Sequence, residues 1–408
     1  MKYISLEKLY RKDKEQYKIE RARRENAYEA IRLPLDIFNH RSFFIPVMEI
    51  SSDLEKISQK HDRLLESYHE LPAVAKLQCA QDCLLDEIKF SNDIEGVHSS
   101  RREIFAAFEQ IQNEKDPVQK KRFFGITDKY NKLMKNEDIP LSTPEDLRAL
   151  YNDIVLQEMS PHNCPDGKLF RADTVELLAP SQKVKHRGIE GEENIISAVH
   201  KALSVRNMAD VSIPIQTAIL HYYLGYIHPF YDGNGRLARF ISSFQLSKRY
   251  DPIVSYRLSY VIKNNRKAYY RAFDECNSPY NNGDLTPFII SFLEIIEKSV
   301  DSITKKVNEG IKNLNYYENI LEKKLEISKQ SSIEYELLYL FIQNQLFTNF
   351  RFDTSTLATL LGKSSNTVKR RIKKLSENGF PIDIEKIGKK YIYKLKLDRL
   401  IDMPPISE

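Results

Sequence analysis

The chain has 408 residues, which is enough for two or three domains, and 41% of them are hydrophobic, so buried cores can form. Only 13 glycines and a charged fraction of 29% favour a mainly helical, soluble protein without low-complexity segments. The formal net charge of +5 is too small to indicate a nucleic-acid-binding protein by itself.

Membrane and disulfide-rich classes are also excluded. We find neither a signal peptide nor an apolar run long enough to span a bilayer, so we expect a cytoplasmic protein with no membrane partner. Cys79 and Cys83 lie one helical turn apart, but no further ligands accompany them, so core packing is favoured over a metal site.

The first 70 residues are predicted to be helical and rich in charge, as a solvated N-terminal cap. The next helix carries a stripe at spacings of three and four, which ends in a carboxylate before the helix stop at Gly96. The stripe comprises Leu77, Ala80, Leu84, Ile88, Ser91 and Glu95. A buried carboxylate at the negative end of a helix requires a cationic partner, whereas a surface carboxylate does not. Both alternatives stay open for Glu95.

One hairpin is predicted in the first three hundred residues. A helix from Pro144 to about Leu156 and a loop precede it. A short β-favouring stretch then comprises Thr174, Val175, Glu176 and Leu177, and residues 184–186 return after a turn at 179–182. The hairpin is either a docking edge for an extended segment or only a stabilising surface feature.

The most informative stretch is His228–Arg239. A helix from Ile213 should end at His228, because the following Pro229 disfavours helical backbone there. Gly233, Asn234 and Gly235 form a turn signal, and a second helix follows. Its first turn carries two arginines on one face, Arg236 and Arg239.

Two positive charges at the electropositive start of a helix favour a bound anion. Free backbone amides, close-approach glycines and two guanidinium groups together predict a polyphosphate cradle. Asp232 is a candidate Mg²⁺ ligand beside it, and His228 a candidate base. The alternative is a tight turn with a structural histidine and two surface arginines.

Later elements complete the prediction. A helix over residues 259–275 carries Tyr269 and Tyr270, which face different directions. A helix capped by Thr286 should close the core near Lys298, and residues 299–330 should form a helical connector. His221, two turns before His228, is predicted to be structural.

Residues 331–408 show three helices and a hairpin, the order of a winged helix domain. Its third helix is basic and predicts a recognition helix for DNA. The candidate DNA contacts are Ser365, Asn366, Thr367, Arg370 and Arg371. The alternative is a domain that only binds protein or forms a homodimer.

The pattern His-Pro-Phe-x-Asp-Gly-Asn-Gly-Arg-x-x-Arg in residues 228–239 resembles the complete active-site motif of the Fic (Fido) family. Most members transfer AMP from ATP to a hydroxyl side chain of a target protein. The resemblance implies a mainly α, Fic-type helical core with a β-hairpin flap that aligns the target. It implies that His228 is the base and that Asp232 holds Mg²⁺.

The same resemblance assigns the phosphates. Gly233, Asn234 and Gly235 would hold the α- and β-phosphates, with Arg236 on the β side and Arg239 on the γ-phosphate. Tyr269 and Tyr270 would lie near the adenine.

The segment Ser91-x-x-x-Glu95-Gly96 resembles the family's inhibitory motif. Its Glu95 would occupy Arg239, so that ATP binds unproductively; in some relatives this glutamate also serves AMP removal.

We therefore predict a protein adenylyltransferase that modifies a target protein or itself and is autoinhibited by Glu95, with de-AMPylation left open. Its domains are an N-terminal region (1–110), a Fic core (111–298), a connector (299–330) and a winged helix domain (331–408). The partners are ATP, Mg²⁺ and a target protein with a Ser, Thr or Tyr hydroxyl. The alternative function is a DNA-binding transcriptional regulator with a nucleotide-sensing Fic site.

Overall fold

A computed structural model describes residues 3–113, 119–178, 184–325, 332–348, 351–388 and 390–402. They form two compact units. The first comprises the described residues of Met1–Asp62 and Leu84–Ser302, and the second those of Arg63–Cys83 and Ile303–Glu408. Among the described helices, none combines the length and the apolar character that crossing a membrane requires.

Helices dominate both units, as predicted. The helices are α1 (Leu6–Lys12), α2 (Lys14–Glu25), α3 (Met48–Glu70), α4 (Ala73–Ile94), α5 (Arg101–Asn113), α6 (Phe124–Met134), α7 (Pro144–Ile154), α8 (Glu192–Ser204), α9 (Ile213–Ile227), α10 (Asn234–Leu246), α11 (Pro252–Ser255), α12 (Leu258–Asn264), α13 (Arg266–Cys276), α14 (Thr286–Leu325), α15 (Ile333–Phe347), α16 (Thr354–Leu361), α17 (Ser365–Glu377) and α18 (Leu397–Asp402). Short 3₁₀ helices cover Leu156–Glu158, Pro161–Asn163, Val205–Asn207 and Pro279–Asn281.

The strands form small antiparallel sheets. They are β1 (Ile31–Ile37), β2 (His40–Phe44), β3 (Glu176–Leu178), β4 (Val184–Arg187), β5 (Phe352–Asp353), β6 (Ile382–Ile387) and β7 (Lys390–Leu395). β1 pairs with β2 and β3 with β4, while the third sheet has the order β5-β7-β6.

The core of the first unit is built around α9 and α10. Every residue of α9 from Pro214 to Ile227 is buried except Gly225, and α10 is buried along nearly its whole length. A helix that is covered on all sides lies in the middle of a core rather than at its surface. The corner between α9 and α10 is therefore held by packing from several directions.

The β1–β2 hairpin corrects two predictions: that the first 70 residues are helical, and that the first three hundred residues contain one hairpin. Leu33, Leu35 and Ile37 alternate inward along β1, which is the period of a strand. Pro34 reads as a helix or strand breaker in the sequence, but it stands on the outward face of this two-stranded sheet, where strands tolerate proline. Phe38 and Asn39 make the turn with positive φ values of 47° and 64°.

Helix limits are corrected at two places. The predicted stop near Lys298 is wrong, because α14 runs unbroken for 40 residues. Its buried positions Val300, Ile303 and Val307 continue the same apolar face past that point. Conversely, the predicted helix over residues 259–275 is divided into α12 and α13 at Asn265. In α4, the first member of the predicted stripe, Leu77, is 50% exposed.

The predicted hairpin after residue 170 is confirmed as β3 and β4, with Glu176 opposite Arg187 and Leu177 opposite His186. Thr174 and Val175, predicted as part of the strand, precede it, although the Val175 carbonyl accepts a hydrogen bond from the Gly188 amide at 3.0 Å. The predicted turn at 179–182 lies outside the described residues.

The second unit contains α15, α16 and α17 in the predicted order, followed by the β6–β7 hairpin. The short strand β5, which the sequence did not predict, pairs with β7 on the side opposite β6. The assignment of this arrangement to a winged helix domain stays a prediction, as do the domain limits at residues 110, 298 and 330.

Candidate active site

His228 ends α9 in the left-handed region of backbone conformation, with φ 51° and ψ 61°. Left-handed backbone is unfavourable for a residue with a Cβ atom and persists only where the surroundings impose it. Here the backbone on both sides is held. The His228 amide donates to Leu224 O at 3.1 Å, and the Ile227 carbonyl accepts from the Ile189 amide at 3.1 Å. The imidazole is therefore fixed at a chain corner, as the sequence predicted.

Arg171 supplies the remaining support, and sequence reasoning missed it. Its side chain is fully buried and donates to His228 O at 2.8 Å, Ile189 O at 2.7 Å and Asp173 O at 2.6 Å. No carboxylate among the described residues pairs with it. A positive charge at the carbonyl end of a helix is favourable, because the unsatisfied carbonyls there carry partial negative charge. Arg171 thus caps α9 and fixes the backbone that carries His228.

The surroundings of His228 keep its ring neutral. Burial lowers the pKa of His228 to about 4, and electrostatic repulsion from His186, when that ring is protonated, and from Arg171 acts in the same direction. Its Nδ1 atom is buried and has no hydrogen-bond partner among the described residues. A neutral imidazole near pH 7 can accept a proton, which is the chemical requirement for a general base.

The turn between His228 and α10 is closed by Asn234. Its side-chain oxygen accepts from the Phe230 amide at 3.0 Å, and its amide group donates to the Phe230 carbonyl at 2.8 Å. Because the side chain is engaged in this way, its predicted contact with phosphate stays a prediction. Gly233 has a φ of 80°, and a Cβ atom there would lie 2.3 Å from Val155 Cγ1, so only glycine fits.

Asp232 is half-buried beside the turn. Its Oδ1 accepts from the Gly233 amide at 2.5 Å, and no cation in the described part of the chain pairs with the carboxylate. The described residues contain no group of three or more side chains suited to hold a metal. A single free carboxylate next to a phosphate cradle still fits Mg²⁺, which commonly takes one or two protein carboxylates together with substrate phosphates and water.

Each nitrogen of the Arg239 guanidinium is bound by the segment that the sequence predicted to be inhibitory. Its Nη1 donates to Glu95 Oε1 at 2.8 Å, its Nε to Ser91 Oγ at 3.0 Å and its Nη2 to Ser91 O at 2.8 Å. The guanidinium is 1% exposed, and the Glu95 side chain 26%. Burial raises the pKa of Glu95, but the charge of Arg239 outweighs it and holds the pKa below its usual value.

Gly235 permits this contact. A Cβ atom at residue 235 would lie 2.1 Å from Glu95 Oε1, so a larger residue would push the carboxylate away. Gly96, whose φ is 73°, ends the helical segment directly after Glu95. The structure brings the Glu95 carboxylate to a buried arginine 144 residues away, although Glu95 itself is partly exposed.

Arg236 also has a carboxylate partner, and the sequence did not reveal it. Its Nη1 donates to Glu158 Oε2 at 2.9 Å, while its buried Nε and Nη2 atoms have no partner among the described residues. Glu158 ends the 3₁₀ helix Leu156–Glu158, and burial raises its pKa. A single acidic residue in a short irregular segment carries no periodic signal, so sequence reasoning had no means to find this pair.

The tyrosine pair divides as its helical spacing predicts. Tyr269 is buried and its hydroxyl hydrogen-bonds His221 Nε2 at 2.7 Å, whereas Tyr270 is 37% exposed. The other ring nitrogen of His221 hydrogen-bonds Ser242 Oγ at 2.8 Å, and burial lowers the pKa of His221 to about 3. This neutral histidine links α10 to α13, the structural role predicted for it. The contact of Tyr269 and Tyr270 with adenine stays a prediction.

The candidate DNA contacts lie on α17 in the second unit, and they differ in exposure and in the contacts that they already make within the protein. Asn366 and Arg370 are exposed. Arg371 donates to Glu334 Oε1 at 2.6 Å, and Thr367 is engaged with Ser364, the residue that caps α17. Ser365 is exposed at the first helical position.

Comparison with known proteins agrees with this geometry. Residues 140–246, which contain α7, the hairpin β3–β4, α9 and α10, match the model of the Fic/DOC family. The protein adenylyltransferase Fic of Nematostella vectensis is 38% identical over 90 residues, which is 22% of this chain and 19% of the relative. The protein of the same name from Drosophila melanogaster is 34% identical over 85 residues, 21% of this chain and 15% of the relative.

These matches cover less than a fifth of the relatives' length. A solved structure extends the similarity of fold: a Fic family protein from Desulfovibrio desulfuricans G20 superimposes with a TM-score of 0.53 and 18% identity, covering 90% of this chain and 98% of the other. The fold, the matched segment and the site geometry agree, and the chain contains a Fic/DOC family domain at residues 140–246.

Proposed function

We propose that this protein is a protein adenylyltransferase that transfers AMP from ATP to a hydroxyl group of a target protein or of itself, and that Glu95 restrains it. The observation that carries the proposal is the ion pair between Glu95 and Arg239, formed on the helix that follows the turn and close to a neutral His228. The relatives named as adenylyltransferases support the reaction type, and ATP and the target protein are inferred from it.

The site has the polar groups that a triphosphate needs. Buried atoms without a partner among the described residues lie on Arg236 (Nε and Nη2) and Tyr151 (hydroxyl). Buried polar atoms are rarely left unpaired in folded proteins, so their presence at one site supports a polar ligand. Asp232 would hold Mg²⁺, which supplies neutralisation of phosphate charge when bound.

Catalysis would then consist of positioning and charge neutralisation. The hydroxyl oxygen of the target attacks the α-phosphorus, the bond to pyrophosphate breaks, and the hydroxyl proton passes to His228. Because Nδ1 is buried, we assign the base role to Nε2. The amides of the α10 N-terminus and Arg236 would stabilise the charge on the leaving pyrophosphate.

The flap would align the target. Antiparallel pairing of β3 and β4 leaves backbone groups on the outer edge of a two-stranded sheet, and an extended segment can pair with such an edge in register without a fixed sequence. Glu176 and Arg187 form an ion pair at 2.8 Å across this hairpin.

The decisive experiment compares α-labelled with γ-labelled ATP in the full chain carrying Glu95→Gly. We expect label from the α position, but not from the γ position, to become covalently attached to protein. His228→Ala should abolish this, while His200→Ala, which changes an exposed histidine on α8, should leave it intact. Attachment of the γ label, or equal attachment in the His228→Ala variant, would refute AMP transfer by this site.

We further propose DNA contact by α17 as a second function. The supporting observation is the run of exposed Lys369, Arg370, Lys373 and Lys374 on that helix. Fluorescence anisotropy with a DNA duplex at several salt concentrations tests it, since phosphate contacts make affinity fall steeply as salt rises. Binding that is absent at low salt, or unchanged in Arg370→Ala, would exclude this role for α17.

A further inference from the structure

The two arginines of the site are held in different ways. All three nitrogen atoms of the Arg239 guanidinium donate hydrogen bonds, Nη1 to Glu95 and both Nε and Nη2 to Ser91. On Arg236, the described residues occupy only Nη1, through Glu158 Oε2 at 2.9 Å. One arginine must therefore be released before it can bind an anion, and the other need not be.

The free atoms of Arg236 form a matched pair. Nε and Nη2 lie along one edge of the planar guanidinium, and their N–H bonds point the same way, which suits two oxygens of one phosphate group. Both atoms are buried and unpartnered among the described residues. Glu158 contacts the third nitrogen, Nη1, so its contact does not occupy either of these two atoms.

Burying the Glu158 carboxylate costs free energy, because the charge loses its contact with water. Its side chain is 10% exposed and that of Arg236 is 1% exposed, so the pair is largely removed from water. Buried ion pairs often contribute little net stability, because desolvation offsets the attraction between the charges. Orientation of the arginine is a physical gain that such a pair can still provide, since a long side chain otherwise samples several rotamers.

We propose that Glu158 is a positioning residue that fixes the guanidinium of Arg236 with its Nε–Nη2 edge available to the β-phosphate of a nucleotide. This inference rests on the phosphate-binding role proposed above for Arg236. It differs from the role proposed for Glu95, which together with Ser91 engages all three nitrogens of Arg239.

Nucleotide binding to the full chain tests the proposal without any need for turnover. Calorimetry with ADP and with AMP, both with Mg²⁺, separates the β-phosphate from the rest of the ligand. We expect Glu158→Ala to raise the Kd for ADP about tenfold, equivalent to the loss of one well-placed charged contact, and that for AMP less than twofold. Glu158→Gln keeps an oxygen acceptor and should lie between wild type and Glu158→Ala.

The neighbouring Gln157→Ala, at an exposed position of the same 3₁₀ helix, is the matched control and should leave both constants unchanged. Melting temperatures of the variants identify any that do not fold, in which case Glu158→Gln carries the test. As a kinetic readout in the Glu95→Gly chain, Glu158→Gln should raise the KM for ATP more than it lowers kcat.

Three results would overturn the proposal. Tighter ADP binding in Glu158→Ala would show that the carboxylate competes with phosphate for Arg236. An equal loss of affinity for ADP and AMP would show that Glu158 has a general structural role. Unchanged Kd values for both nucleotides would exclude any role of Glu158 in nucleotide binding. Arg236→Ala distinguishes the two levels of inference. If this variant binds ADP as the wild type does, the phosphate site itself fails; if it weakens ADP binding while Glu158→Ala does not, only the positioning role fails.

Discussion

The Glu95–Arg239 pair yields the most direct prediction. Replacing Glu95 by glycine removes the ligand of Nη1 but leaves the Nε and Nη2 contacts of Arg239 with Ser91. The arginine should therefore keep its position and gain a free donor for the γ-phosphate. We expect Glu95→Gly to increase AMP transfer.

The size of the increase can be bounded. A hydrogen bond between charged groups contributes about 1.5–3 kcal/mol, which corresponds to roughly tenfold to a hundredfold in productive binding. Since the Glu95 side chain is 26% exposed, water screens the pair and the lower end of this range applies. Glu95→Gln, which keeps a hydrogen-bonding oxygen without the charge, should give a smaller increase.

The assay is the rate of covalent attachment of α-labelled AMP at saturating Mg²⁺ and varied ATP. The variant Glu95→Gly/Arg239→Ala should lose the gain, because the released arginine is then missing. Unchanged rates in Glu95→Gly, or a gain that survives loss of Arg239, would show that the pair does not restrain the site. The pKa of Glu95 is held below its usual value, so the restraint should persist at neutral pH and fade only as acid protonates the carboxylate.

Further predictions concern the base and the turn that carries it. With a pKa of about 4, His228 should stay deprotonated as pH falls, so the transfer rate of the Glu95→Gly chain should not decline through His228 protonation above about pH 5, as a pH–rate profile would show. Arg171→Leu should lower kcat at least tenfold by freeing the His228 carbonyl, with Arg171→Lys retaining part of the rate. Gly233→Ala should lower stability by more than about 1 kcal/mol in denaturant unfolding, and the added change Val155→Ala should recover part of the loss.

Each of these can fail in a specific way. An acid limb with a midpoint near pH 6.5 would mean that the surroundings do not lower the pKa of His228. Full kcat in Arg171→Leu would show that the other backbone contacts of the corner suffice. A Gly233→Ala chain as stable as the wild type would mean that the turn relaxes away from Val155.

Local chemistry made the central motif predictable. Pro229 limits the conformation of the residue before it, and Gly233 supplies positive φ, so the corner and the helix after it follow from neighbouring residues alone. The prediction that Glu95 needs a cationic partner came from apolar residues repeated at spacings of three and four, because such a stripe shows which side of a helix packs inward. Apolar residues also alternate along β1, but Pro34 lies among them, and a proline in the sequence usually indicates the end of a strand.

The tertiary structure alone decided which charges meet. Arg171 lies in a loop and Glu158 in a single 3₁₀ turn, so no periodic pattern sets the direction of either side chain. They reach His228 and Arg236 across 57 and 78 residues of chain. The unbroken course of α14 was likewise decided by packing of its continuing apolar face. Sequence specifies the groups that do chemistry when they sit on one short turn. The partners that fix or restrain those groups become visible only when packing brings distant segments together and removes them from water.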